Sequence, residues 1–158
     1  MADYFTNFSL VLDLPDEPAQ TYALDLAEVA ESQRFSDDSS TLPPDFPESL
    51  REILEYWCFE TKAESPSQPG QYGLWLHSMD GGIDAACAFI QHLLKKFKLT
   101  DAVSFEWSHD CSKPRTDAYG GGAAFITADK IKTMTTGEWL QKQHDAHERQ
   151  LQRKGAKP

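Results

Sequence analysis

From Ile83 to Phe97 the chain sets apolar side chains at Ile83, Ala86, Cys87, Ile90, Leu93, Leu94 and Phe97, a helical period held without a break. The spacing predicts an amphipathic helix with one apolar face that another layer must cover. Lys95, Lys96 and Lys98 stand at its end, where the helix dipole favours cations. The flanking segments say what the covering layer is. Phe8, Leu10, Leu12 and Leu14 alternate at period two, and so do Val103, Phe105 and Trp107, each set reading as a strand with one buried side. Half-buried strands around an amphipathic helix call for a sheet with helices laid on it.

The remaining segments fill in the order. Ala19, Tyr22, Ala23, Leu26, Val29 and Ala30 mark a first helix, entered through Pro18 with Asp16 as its cap and with Asp25, Glu28 and Glu31 on the wet side. Residues 33–47 read as a loop. A short second helix carries Leu50, Ile53, Leu54 and Trp57 inward and Glu48, Glu52 and Glu55 outward. Phe59–Glu64 and Gly73–Ser78 form a hairpin, and Asp80 is expected to cap the long helix. Ala123–Thr127 is a fifth strand, a short extension covers Ile131–Met134, and a last helix starts near Thr136. Without the small second helix the order is β-α-β-β-α-β, which predicts an α+β fold: a ferredoxin-like two-layer sandwich, its antiparallel sheet of about five strands bearing helices on one face. At 158 residues the chain fits one domain, taken as 1–150, with a basic tail 151–158 expected to be disordered.

Charge divides the chain unevenly. Residues 1–66 hold fifteen acids against three bases, a net of −12, whereas residues 67–158 hold twelve bases and ten acids, a net of +2. Such an acidic half repels nucleic acid and attracts a basic protein. No apolar run reaches the ~20 residues of a membrane span, and the first residues lack the basic and apolar regions of a secretory signal. Cys58, Cys87 and Cys111, odd in number and far apart, suit reduced thiols in a cytosol.

The densest chemistry lies in SHDCSKPRTDAYGGGAAF, from Ser108 to Phe125. Lys113 and Arg115 beside Gly120, Gly121 and Gly122 invite an anion-cradle reading, with Tyr119 next to them. The glycines lead into a strand, however, and lack the spacing of a phosphate loop feeding a helix. His109 and Cys111 share a face of an extended strand at roughly 7 Å, too far for a direct nucleophile–base bond. His77, His109 and Cys111 would form a metal site only if their strands brought them together. The preferred account is a hairpin connection stiffened by Pro114, turned by Asp117, with the glycines allowing positive φ at a bulge. Trp57, Trp75, Trp107 and Trp139 read as core and edge packing rather than a stacking platform for bases.

The segment CSKPRTDAYGGGAAFIT, with GLWLHSMDGG upstream and GEWLQ downstream, resembles small acidic proteins of unknown function carried by phages and plasmids, over residues 70–140. That resemblance implies a mobile element in a bacterial cytoplasm and transfers no active-site residue. Acidic proteins in such a setting occupy basic surfaces of defence or DNA-handling proteins. The expected function is therefore a non-enzymatic interaction module: an anti-defence inhibitor, a DNA mimic or an immunity protein, with no cofactor, no metal and no membrane partner. Asp25, Glu28, Glu31, Asp37, Asp38, Glu48, Glu52 and Glu55 would meet a basic protein encoded by the host or the element, with Phe35 and Phe46 as apolar anchors. The alternative is a small enzyme or an anion- or nucleotide-binding domain using residues 109–122 with His77. Homodimerisation through a sheet edge or the last helix is compatible with either.

Overall fold

A computed structural model of the chain describes residues 1–36, 41–64 and 72–155. These form β1 (Tyr4–Leu14), α1 (Glu17–Arg34), α2 (Glu48–Arg51), a 3-10 turn (Leu54–Tyr56), β2 (Glu60–Glu64), β3 (Tyr72–Ser78), α3 (Ile83–Lys96), β4 (Val103–Cys111), β5 (Gly120–Ile126), β6 (Ile131–Thr135) and α4 (Thr136–Gly155). The strands make one open antiparallel sheet in the order β2-β3-β1-β4-β5-β6. The extension at Ile131–Met134 is thus a full sixth strand, because five register pairs join it to β5.

One face of the sheet is apolar. Phe8, Leu12 and Leu14 of β1 are buried, opposite Ser78, Leu74 and Tyr72 of β3. Phe105 and Trp107 of β4 continue that face, with Ala124 and Ile126 of β5 beside them. On this face α1 packs against β1, β2 and β3, while α3 packs against β5 and β6. The stripe of α3 goes fully inside, with Phe89, Ile90, Leu93 and Leu94 buried. The short α2 is a plug rather than an appendage. It drives Leu50 into the core, and the chain beyond it brings Trp57 and Phe59 to stack at 4.6 Å and to meet Phe89. The four tryptophans divide: Trp57 and Trp107 are buried, Trp75 is half-buried on the open face, and Trp139 is exposed.

Sheet register explains two departures from the expected local chemistry. Asp80 does not cap α3; Thr6 hydrogen-bonds Met79 and Gly81 through its backbone, which ties this corner to β1, and the helix starts two residues later behind Gly82 at φ 79°. In the glycine run Gly120 has the expected positive φ, 153°, whereas Gly121 and Gly122 answer to packing. Gly122 has ordinary φ, but a Cβ there would stand 2.2 Å from Trp107 Cζ2 and 2.4 Å from the Met134 carbonyl oxygen. The bare backbone lets the Trp107 indole lie across β5. Between β1 and β4 the ladder joins only Tyr4–Asn7 to Ser108–Cys111, and a wedge of about 550 Å³ opens beyond it, with Leu94 and Leu99 among its walls.

α4 runs to Gly155, five residues into the stretch expected to fray. No helix among the described residues is long and apolar enough to cross a membrane.

Candidate functional site

The acidic side chains on α1 border a groove. Residues Tyr22, Asp25, Leu26 and Val29 recur at helical spacing along one side of α1, and Pro43, Asp45, Phe46 and Pro47 lie across from them, enclosing about 200 Å³. Pro43, Pro44 and Pro47 stiffen that strip, which makes a turn closed by the Phe46 amide donating to the Pro43 carbonyl at 3.0 Å. Leu26 and Phe46 are buried, whereas Asp25 and Asp45 are exposed. The result is an apolar trough with carboxylates at its lip.

One end of the trough is held by α3. The Tyr22 hydroxyl and His92 Nε2 share a hydrogen bond of 2.8 Å, and Lys96 Nζ sits 4.4 Å from the Tyr22 ring centroid. Burial, and then the Asp45 carboxylate, raise the pKa of Tyr22. Burial lowers that of His92, aided by Lys96 and Lys95. Both groups therefore stay neutral at pH 7, and the lip carboxylates supply the negative charge.

The other acids named from the sequence do not line the trough. Glu28 and Glu31 are exposed along α1. Glu48, Glu52 and Glu55 are exposed on the stretch whose 3-10 turn packs against α1. Glu48 is partly offset by Arg51 at 2.9 Å. Asp37 and Asp38 lie outside the described residues. Of the two aromatics expected as anchors, Phe35 is 79% exposed at the end of α1, with the Arg34 guanidinium 5.2 Å from its ring centroid. Phe46 is instead 5% exposed and serves as the floor of the trough. Its neighbour Asp45 and the helix residue Tyr22 carry no functional signal in the sequence. Tyr22 reads as ordinary core stripe, and the only local sign for Asp45 is the pair of flanking prolines.

The alternative loop assembles in part. His109 and Cys111 share a face of β4, but His109 Nδ1 pairs with Thr6 Oγ1 at 3.0 Å rather than with the thiol, and Cys111 is buried. The structure does not bring His77 to them. His77 aligns with Ser9 and His109 with Thr6, so they sit three residues apart along β1 and on opposite faces. His77 instead stacks on Trp75 at 4.0 Å and pairs with Glu60 at 3.6 Å. Arg115 donates to the Tyr4 hydroxyl. Lys113 and Tyr119 are exposed, and Tyr119 lines a hollow of about 230 Å³ with Tyr4, His109, Asp110 and Asp117. Two carboxylates in that lining work against an anion cradle. Gly120, Gly121 and Gly122 line a separate depression of about 540 Å³ on the open face with Glu106 and Met134.

Among the described residues no group of three or more His, Cys, Asp or Glu side chains is placed to hold a metal ion. Burial and Asp84 push the Cys87 thiol up to about 12, which keeps it protonated. Comparison with protein-family models, with curated proteins and with solved structures finds no match.

Proposed function

We propose that the chain is a non-enzymatic interaction module whose α1 trough receives a lysine or arginine of a basic protein. The observation that carries this reading is the pairing of an apolar floor, Leu26 and Phe46, with the Asp25 and Asp45 carboxylates at the lip. A long basic side chain matches both parts at once, because its methylene stem prefers apolar surface while its charge prefers water and a carboxylate. Glu28 and Glu31 extend the negative field and steer the encounter. A basic partner encoded by a host or by a mobile element fits this surface, in the manner of an anti-defence inhibitor, a DNA mimic or an immunity protein acting in a bacterial cytoplasm.

The scaffold belongs to the same proposal. The order β2-β3-β1-β4 interleaves two β-α-β units, the order of a ferredoxin-like two-layer sandwich, and β5-β6 prolong it as a meander.

The test is co-purification from bacterial lysate at low and high salt, with the wild-type chain beside an Asp25→Lys, Asp45→Lys variant. The expected result is a basic protein held at low salt, released at high salt and lost with the variant. A partner retained by the variant, or no salt-sensitive partner at all, overturns the reading.

A further inference from the structure

Helix α4 is 20 residues long with none buried; among the described residues its main packing is against β5 and β6, with the hydrogen bonds to those strands at its root. The root is firmly built. Thr136 Oγ1 accepts from the Gly121 amide at 3.1 Å, and Thr135 and Glu138 exchange bonds of 3.1 and 3.3 Å as a capping box. From there the helix extends roughly 30 Å. An isolated helix of that length and polarity gains little from its own hydrogen bonds, since helices in proteins are held chiefly by packing of an apolar stripe.

Such a stripe is present. Leu140, His144, His147 and Leu151 follow a 4-3-4 spacing, the seam pattern of paired helices, with Leu140 52% and Leu151 55% exposed. Glu138, Lys142, Asp145, Arg149 and Arg153 fall on the opposite side of the helix. The seam is also symmetric about its centre. Reversing the helix sets Leu140 against Leu151 and His144 against His147 of a second copy, two identical layers of each kind. The flanking positions then pair Gln143 with Gln150 and Gln141 with Glu148, which can hydrogen-bond and do not repel.

Charge selects the direction. Residues 136–145 carry two acids and one base, whereas residues 146–155 carry one acid and three bases. Antiparallel copies set the acidic half of each helix beside the basic half of the other and oppose the helix dipoles. Parallel copies would gather Arg149, Arg153 and Lys154 of both chains at one end. They would also crowd two bodies whose first 66 residues each carry −12. We infer that α4 is a self-association arm, pairing antiparallel with α4 of a second copy through Leu140, His144, His147 and Leu151. This inference does not depend on the acidic-trough reading.

Sedimentation of the full chain at about 100 µM is expected to give twice the 17.8 kDa chain mass, and the Leu140→Lys, Leu151→Lys variant the single mass with its helical circular dichroism and main thermal transition retained. Register is read by cysteine pairing, with the wild-type thiols as background. A mixture of Leu140→Cys and Leu151→Cys chains is expected to form a disulfide-linked dimer that neither chain forms alone. A monomeric wild type, or a dimer untouched by the lysine pair, overturns the inference. Cross-linking of either cysteine variant by itself overturns the antiparallel arrangement.

Discussion

Helices α3 and α4 are both amphipathic, yet one lies at the centre of the core and the other has no buried residue. In α3 the buried set includes Phe89, Ile90, Leu93 and Leu94, so its stripe is wide and continuous. In α4 the seam is two leucines separated by two histidines, with glutamines at its margins. A wide stripe needs a sheet, and the sheet supplies it. A narrow polar-centred seam suits one facing helix and would leave imidazoles without partners under a sheet. The density of apolar side chains along the period, not the period alone, distinguishes a core helix from an arm.

That contrast can be broken by mutation. The largest effect is expected at the core: Leu76→Ala, fully buried in β3, should cost about 2–5 kcal/mol by urea unfolding, whereas Leu140→Ala in the dissociated monomer should stay within about 0.5 kcal/mol. Equal losses would mean that α4 is packed within its own chain. Next comes Gly122→Ala, which forces a methyl into Trp107 and the Met134 carbonyl and should cost about 3 kcal/mol; a neutral result would show that the indole does not lie across β5. Asp16→Ala removes the side-chain cap that accepts from the Ala19 amide at 2.8 Å, worth about 1 kcal/mol of stability.

The smallest effect concerns pH. His92 has its pKa lowered by burial, then by Lys96 and Lys95, so the unfolded chain takes up that proton first as pH falls. Stability is therefore fully present above the unfolded value of about 6.5 and declines below it until the folded group also protonates. His92→Gln should flatten that part of the profile between pH 7.5 and 5.5. An unchanged profile would place the acid sensitivity elsewhere.

Several elements were legible because their signals are local. The stripes of α1 and α3, the alternation in β1 and β4, and the Asp16 cap all depend on neighbours within a few residues. Asp25, Glu28 and Glu31 were likewise legible as the wet side of α1. The trough was not. Asp45 meets Tyr22 only because the strip between Pro43 and Pro47 folds back on the helix, and the same fold turns Phe46 inward. His77 and His109 could meet only if their strands brought them together, and the register places them on opposite faces.

The amino-acid sequence by itself determined the succession of strands and helices, the uneven charge and the two kinds of amphipathic helix. These follow from side-chain periodicity and from formal charge, which need no knowledge of distant residues. The tertiary structure alone decided that β6 joins the sheet, that Asp80 serves a strand corner, that the glycine run makes room for Trp107, and that Asp25 and Asp45 share a lip. Each of these depends on which distant backbones come within a few ångströms, and that is set by strand register and the shape of the core.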